Sequence, residues 1–234
     1  EEAIRKAHLM VDEGADLIDV GGESTRPGSN PVTVDIELER VVPLVLRLSR
    51  EVAVPISVDT SKPEVMKAAV EAGAAMINDV YALRMPGALE QARILDVPVC
   101  LMHMKGIPAS MQHAPFYVDV VQEVKTFLQQ QVSRCLAAGI SSENIVVDPG
   151  IGFGKRPGHN RKLIDGIGML QSLGHPVLVG ISRKSFLPIK TTGINRDLLS
   201  AQYALRAVSN GASLVRVHNV GMTAKVLKES RTGT

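Results

Sequence analysis

The chain repeats one local plan seven times: a short apolar run ends near a polar residue, a loop follows, and a helix-length segment leads to the next run. The apolar runs are predicted strands at 16–20, 55–58, 75–77, 97–102, 145–147, 176–181 and 214–217. Apolar strands separated by helices are typical of parallel sheets, because two parallel strands need a long crossover between them. The sequence therefore predicts an α/β fold with seven parallel strands.

Glycines recur at one position of this repeated plan, between a predicted helix and the strand that follows it. They follow predicted helices and precede predicted strands at Gly14, Gly73, Gly139, Gly174 and Gly211. A glycine just past a helix adopts the left-handed conformation that ends the helix. We therefore predict that these five residues close helices.

Seven strands are one fewer than a closed (β/α)₈ barrel needs. The first predicted element is a helix at 1–13, so we predict a TIM barrel whose first strand lies upstream of Glu1, with 1–234 forming a single domain. The alternative is an open, doubly wound sheet. Neither a dinucleotide-binding fingerprint nor a complete P-loop pattern is present to favour that alternative.

Composition excludes several classes of protein. The net charge of +2 is too small to indicate a nucleic-acid or anionic-membrane partner, and no apolar run approaches the roughly 20 residues of a membrane span. The two cysteines show neither a disulfide framework nor zinc-ligand spacing. This pattern is typical of a reducing compartment, so a cytoplasmic location is expected.

Polar residues lie at the carboxyl ends of the predicted strands, which share one mouth in a barrel. Carboxylates and an amide on the early and middle strands would suit a polar heterocycle, and cations on the last strands would suit a phosphate or pyrophosphate. Each residue also has a structural interpretation: Asp19 and Asp79 as helix caps, His103 as a core histidine, Lys184 as a solvated charge. The strand-end residues are Asp19, Asp59, Asn78, His103, Asp148, Lys184, Arg216 and His218.

Several strings around these residues resemble bacterial dihydropteroate synthase, a family of pterin-binding enzymes. They occur in order and cover nearly the whole chain: IDVGGESTRPG (18–28), SVDTSKPEV (57–65), INDV (77–80), CLMHM (100–104), DPGIGFGK (148–155), GISRKS (180–185) and RVH (216–218).

The resemblance implies a (β/α)₈ barrel that acts as a transferase in folate biosynthesis. Such an enzyme joins hydroxymethyl-dihydropterin pyrophosphate to p-aminobenzoate, releases dihydropteroate and pyrophosphate, uses Mg²⁺ and is the target of sulfonamide inhibitors. Family members are commonly homodimers, so a homodimer is also expected.

The resemblance assigns site residues by position. It implies that Asp59, Asn78, Asp148 and Lys184 hold the pterin, and that Arg216 and His218 bind the pyrophosphate. It places Thr25, Arg26 and Pro27 in a loop over the aminobenzoate, with Phe153 and Ser185 beside its ring and carboxylate. The residues implied in catalysis are Asp59, Lys184, Arg216 and His218.

One family string is missing from this sequence. The family's first strand carries a string like LNVTPDSF, whose Asn helps to hold Mg²⁺, so this ligand is expected upstream of Glu1 and no metal ligand is expected in this chain. Two rival functions are considered: another pterin-binding barrel, such as a methyltetrahydrofolate-dependent methyltransferase domain, and a barrel that binds pterin without turnover. The Arg216-Val217-His218 string and the Ser-Thr-Arg-Pro loop argue against the first, and only the missing strand favours the second.

The loop at 21–31 is predicted to be mobile when the site is empty. It combines three glycines with two prolines and has no hydrophobic anchor. Such a loop suits closure over a ligand, and we expect it to become ordered only when both substrates, or pyrophosphate and an aryl ligand, are present. Binding should therefore be ordered, with the pyrophosphate substrate first.

Overall fold

The structure is a computed structural model that describes residues 1–26, 28–184, 186–187 and 194–232. Its strands match the seven predicted apolar runs in number and order. They are β1 (Ile18–Gly21), β2 (Ile56–Asp59), β3 (Met76–Asp79), β4 (Val99–Met102), β5 (Ile145–Asp148), β6 (Leu178–Gly180) and β7 (Leu214–Arg216).

Helices follow or precede each strand, as the repeated plan predicts, and a short 3₁₀ turn at Ser142–Asn144 leads into β5. The helices are α1 (Glu2–Asp12), α2 (Val34–Glu51), α3 (Pro63–Glu71), α4 (Ala88–Leu95), α5 (Val120–Ala137), α6 (Pro157–Asp165), α7 (Ile167–Gln171), α8 (Ile194–Ser209) and α9 (Val220–Thr232). None of these helices is both long and apolar enough to cross a membrane.

The strands pair in chain order and all pairs are parallel. One sheet contains β1 to β5, a second pair contains β6 and β7, and a single bridge between Val147 and Val177 places the pair beside β5. A doubly wound sheet would reverse its strand order at a switch point, and the strands that the structure describes show no reversal. The strictly sequential order is that of a (β/α) barrel.

A contact between the first and the last strand shows that the sheet curls. Seven flat strands would separate β1 from β7 by six spacings of about 4.8 Å, or about 29 Å. Instead, Nη1 of Arg216 on β7 lies 2.8 Å from Oδ2 of Asp19 on β1. The strands therefore surround a common interior, as the barrel prediction requires.

Local predictions are mostly confirmed, with two corrections. All five predicted helix-ending glycines have positive φ, between 81° and 112°. The string Ser61-Lys62-Pro63-Glu64 has the spacing of a capping box, which predicts Ser61 as the N-cap, but this prediction is wrong. Lys62 is the N-cap, and its side chain points to two carboxylates instead of a helix N–H. Pro43, which predicts a kink or a break, lies inside α2, and the helix continues through it. The apolar spacing at 161–173 predicts a single helix, but the segment forms two helices that meet at Gly166.

A layer of apolar side chains lies just below the mouth. It contains Met76, Cys100, Val146 and Leu178, with Leu17 and Leu214 packed against it. Successive strand residues alternate between faces, so the residue two positions later points to the same side. The next layer towards the carboxyl end is therefore built by Asp19, Asn78, Met102, Asp148, Gly180 and Arg216.

Candidate functional site

Arg216 connects the carboxylates of the first two strands. Its Nη1 donates to Oδ2 of Asp19 at 2.8 Å and to Oδ2 of Asp59 at 2.9 Å. Asp19 also accepts hydrogen bonds from Ser57 Oγ at 2.7 Å and Asn78 Nδ2 at 3.3 Å. Gly180 lies beneath the guanidinium, where a Cβ would stand 3.6 Å from its Nε. Four strands thus fix one cation at the centre of the mouth.

The charges in this network oppose one another. Burial, and after it the charge of Asp19, raises the pKa of Asp59 to about 7, against the opposing charge of Arg216. Burial alone would lower the pKa of Arg216, but Asp59 and Asp19 outweigh it and raise the pKa above its ordinary value. Asp59 therefore becomes ionised more readily when a further positive charge approaches it.

Asp148 presents one free oxygen to the interior. Its Oδ1 accepts the backbone N–H of Gly150 at 2.7 Å, and among the described residues its Oδ2 makes no hydrogen bond. The side chain is buried, and burial raises its pKa. Only glycine fits at position 150, since φ is 65° and a Cβ would collide with the carbonyl oxygen of His103. The turn after β5 thus fixes the carboxylate and leaves an acceptor for a ligand.

Lys184 lies over the ring of Phe153. Its Nζ is 4.2 Å from the ring centroid and donates to the carbonyl oxygen of Ile151 at 2.9 Å. Burial, followed by the charge of Arg216, lowers the pKa of Lys184 to about 8. The ammonium and the aromatic ring thus form one wall beside Asp148. The negative charge of Asp148 raises the pKa of Lys184, against the effects of burial and Arg216.

His218 follows β7 and contacts the loop after β6. Its Nδ1 lies 3.0 Å from Oγ of Ser182, and its backbone N–H donates to the same oxygen at 3.2 Å. Burial, and then the charges of Arg183, Lys6 and Arg26, lowers its pKa. Cations around a neutral imidazole leave this side of the mouth suited to an anion.

The remaining predicted site residues lie in loops. Thr25 is half-buried and Arg26 is exposed in the segment after β1. The backbone N–H of Gly28 donates to the carbonyl oxygen of Pro108 at 3.3 Å, so this loop touches the loop after β4. Pro27 and Ser185 lie outside the described residues.

Neither of the two aspartates interpreted as helix caps has that role. The carboxylate of Asp79 accepts the backbone N–H groups of Tyr81 and Leu83, both at 2.8 Å, and so fixes the turn after β3, but no helix begins there and the N-cap of α4 is Gly87. The cap interpretation of Asp19 is wrong, because its hydrogen bonds come from side chains on β2, β3 and β7. The sequence did hold a signal that Asp19 belongs to the site, because Asp19, like Asp59, lies at the carboxyl end of a predicted strand.

Sequence reasoning missed the buried Lys155. Its Nζ lies 2.9 Å from His103 Nδ1, donates to the carbonyl oxygens of Gly150 and Phe153 at 2.9 Å, and also contacts that of His103 at 3.3 Å. Burial lowers the pKa of Lys155 well below its ordinary value. This side chain fixes the turn that carries Asp148 and Phe153. A lysine at the end of a glycine-rich turn, followed by no Ser or Thr, was the only signal.

The core interpretation of His103 leads to a testable pH dependence. Burial, and then the charge of Lys155, lowers the pKa of His103 from 6.5 to about 2. The unfolded chain therefore binds a proton that the folded chain does not, and stability is lost as pH falls below about 6.5. Between pH 7.5 and 5 this one group should cost about 2 kcal/mol of unfolding free energy.

Urea unfolding at both pH values measures this difference. His103→Gln should reduce the pH dependence by about 2 kcal/mol, and His113→Gln, on an exposed loop, is the matched control for loss of an imidazole. An unchanged pH dependence in the folded His103→Gln variant would show that His103 takes up a proton in the folded protein.

Comparison with known proteins gives the same family as the sequence strings. A family model described as pterin binding enzyme matches residues 1–218. The dihydropteroate synthase of Escherichia coli strain K12 is 45% identical over 229 residues, which are 97% of this chain and 81% of that protein.

Solved structures agree over the whole fold. The dihydropteroate synthase of Xanthomonas albilineans with 4-aminobenzoic acid superposes with a TM-score of 0.94 at 46% identity, covering 99% of this chain and 84% of that one. The Yersinia pestis dihydropteroate synthase in a sulfonamide drug complex gives a TM-score of 0.94 at 42% identity, covering 99% and 86%. The chain therefore belongs to the pterin-binding enzyme family, among the dihydropteroate synthases.

Proposed function

We propose that this chain joins hydroxymethyl-dihydropterin pyrophosphate to p-aminobenzoate, with the pterin among the carboxylates of the middle strands and the pyrophosphate beside the last strand. The observation that carries this assignment is which guanidinium nitrogens of Arg216 are hydrogen-bonded and which are not. Its Nη1 is held by Asp19 and Asp59, whereas Nε and Nη2 have no hydrogen-bond partner among the described residues. The guanidinium thus joins an anionic pocket to a face that is open to an anion.

The pterin side needs acceptors opposite the amino and amide N–H groups of the ring. Asp148 is a buried residue with one carboxylate oxygen that makes no hydrogen bond among the described residues, and Asn78 can both donate and accept. Lys184 supplies a donor on the same side, and its lowered pKa of about 8 reflects how far it is removed from water. These three residues are proposed to fix the ring in its plane.

The pyrophosphate side is proposed to consist of Arg216 and His218, which can bind an anion without losing the hydrogen bonds that hold them in the protein. Arg216 offers two guanidinium nitrogens, which match the geometry of phosphate oxygens. His218 lies beside it, and protonation on anion binding would add a second charge-assisted hydrogen bond. Together they stabilise negative charge on the departing group.

The reaction requires positive charge to develop on the pterin methylene, because an arylamine is a weak nucleophile and the C–O bond loosens early. Asp59 is the carboxylate proposed to lie beside this carbon. The approaching positive charge lowers its pKa from about 7, so it becomes fully ionised as the cation forms. Preorganised groups of this type contribute roughly 2.7–4 kcal/mol each.

The aryl end is proposed to lie against Phe153, with Thr25, Arg26, Pro27 and Ser185 around it. The wall made by Phe153 and Lys184 offers an aromatic face next to a cation, which suits a flat ring bearing a carboxylate. Sulfonamides present a similar arylamine, so the same wall would hold them.

Magnesium remains a proposal, since the described residues contain no cluster of three or more His, Cys, Asp or Glu side chains that could hold a metal ion. Mg²⁺ commonly binds through substrate phosphates and water, with one or two protein ligands. We propose that it enters with the pyrophosphate group and neutralises part of its charge.

Location and assembly are also proposals. Cys100 and Cys135 are both free and buried, which is consistent with a cytoplasmic enzyme. A homodimer is proposed from the family resemblance, and sedimentation of the purified chain would test it.

The test is product formation by the full-length protein. Mixing it with the pterin pyrophosphate, p-aminobenzoate and Mg²⁺ should release pyrophosphate and dihydropteroate in equal amounts, and EDTA should stop the reaction. Tight pterin binding with no pyrophosphate release would favour a barrel that binds without turnover. Methyl transfer from methyltetrahydrofolate in place of pyrophosphate release would favour the methyltransferase alternative.

A further inference from the structure

A half-buried ammonium lies between two carboxylates at the start of α3. Nζ of Lys62 is 2.7 Å from Oε2 of Glu23 and 2.5 Å from Oε2 of Glu37. Glu23 lies in the loop between β1 and α2, and Glu37 lies in the first turn of α2. The side chains are 19%, 17% and 1% exposed for Lys62, Glu23 and Glu37.

Stability alone explains this triad poorly. Two carboxylates share one ammonium, and Oε1 of Glu37 is buried with no hydrogen-bond partner within the described part of the chain. An unpaired buried oxygen is costly, and a buried ion pair often contributes less than apolar packing of the same volume. We therefore ask which parts of the chain these three side chains hold in position.

On one side, the triad fixes the loop after β1. Oε2 of Glu23 also accepts the backbone N–H of Val32 at 2.8 Å, so the beginning and the end of the loop meet at one carboxylate. Gly22 packs closely against α2, where a Cβ would stand 2.9 Å from Cγ of Glu37, and its carbonyl oxygen accepts from Arg40 at 2.9 Å. The residues between Glu23 and Val32 include Thr25 and Arg26.

On the other side, the triad fixes the turn that carries Asp59. The backbone N–H of Lys62 donates to Oγ1 of Thr60 at 3.2 Å, and the backbone N–H of Thr60 donates to the carbonyl oxygen of Asn78 at 3.1 Å. Thr60 directly follows Asp59. One lysine thus links the aryl-side loop to the strand ends assigned to the pterin.

We propose that Lys62, with Glu23 and Glu37, is the positioning residue that sets the Thr25–Arg26 loop relative to the pterin pocket, so that the aminobenzoate site forms beside a bound pterin. Lys62 touches neither substrate in this arrangement. The inference rests on the proposed function, and it predicts a loss in aminobenzoate binding that is separate from pterin binding.

The test compares the Michaelis constants of the two substrates. Glu23→Ala removes the contacts to Lys62 and Val32 from the loop side, where folding of the barrel is least at risk. It should raise the KM for aminobenzoate by about tenfold or more and change the KM for the pterin pyrophosphate by less than about twofold. Hydrogen exchange at the Val32 amide should become faster, which reports the loop independently of turnover.

Variants at Lys62 and a distant control complete the experiment. Lys62→Met should shift the aminobenzoate KM in the same direction, and Lys62→Arg should restore most of it, because the charge is kept. Glu90→Gln, in the exposed Arg93 pair on α4, should change neither constant.

Product formation by the wild-type protein tests the proposed function. The Michaelis constants of the variants test the positioning role of Lys62. A folded Glu23→Ala enzyme with both constants unchanged, or with both raised equally, would overturn the positioning role. So would a Lys62→Arg enzyme as impaired as Lys62→Met.

Discussion

Asp148→Asn is expected to weaken pterin binding strongly while the protein stays folded. An asparagine can keep the hydrogen bond from the Gly150 N–H through its Oδ1, so the turn after β5 is preserved. The outward atom, however, changes from an acceptor to an N–H₂ donor. A donor would then face the N–H groups of the pterin, leaving two buried groups unpaired at a cost of roughly 2–6 kcal/mol. Affinity should fall by roughly 30-fold to 10⁴-fold.

Calorimetric titration with a free pterin measures this loss, and thermal unfolding checks the fold. Asp79→Asn is the matched control, because Asp79 is equally buried but uses its carboxylate on the backbone N–H groups of Tyr81 and Leu83. That variant should lower the melting temperature and affect pterin affinity far less. Wild-type affinity in Asp148→Asn would remove Asp148 from the pterin pocket.

The fold was predictable because its determinants are local and repeated. Each apolar run, each helix-ending glycine and each polar residue at a strand end lies within a few residues of the feature it explains. Parallel strands in chain order then place their carboxyl ends at one mouth, so Asp59, Asn78, Asp148 and Arg216 could be grouped before any contact was known.

The contacts that fix the site could not be predicted in this way. Arg216 and Asp19 are 197 positions apart, and only closure of the barrel brings them together. The Ser61-Lys62-Pro63-Glu64 string matched a capping box, but tertiary contacts drew the side chain of Lys62 to Glu23 and Glu37. Lys155 was missed for the same reason, since its partners His103 and Gly150 come from separate strand ends.

The network also explains why the mouth can hold opposite charges next to each other. Asp19 takes no part in the proposed ligand contacts, yet it accepts hydrogen bonds from Ser57, Asn78 and Arg216. It thereby orients one residue assigned to the pterin and one assigned to the pyrophosphate. Both carboxylates bind the same guanidinium nitrogen, at 2.8 and 2.9 Å. Asp19 therefore has a structural role, and Asp59 is the one proposed to lie beside the reacting carbon.

Arg216→Ala is expected to weaken pyrophosphate binding far more than binding of a free pterin. The guanidinium nitrogens Nε and Nη2 are the ones proposed to face the anion, and they are lost together with a charge-assisted, two-point contact. The same change leaves Asp19 and Asp59 without their shared cation. Breaking a fully buried pair costs about 3–5 kcal/mol. These side chains are part-buried, so the variant should lose less than that and still unfold more easily.

Arg216→Lys separates the two effects. A lysine keeps the positive charge near Asp19 and Asp59, so stability should stay close to that of the wild type, but a single ammonium cannot reproduce the two-nitrogen contact with an anion. Pyrophosphate affinity should therefore fall by about tenfold, whereas free pterin affinity should change by less than about threefold. Calorimetry with each ligand, alongside thermal unfolding, measures both quantities. Equal losses for pyrophosphate and pterin in the folded Arg216→Lys protein would show that Arg216 acts by holding the strand ends together and not by binding the anion.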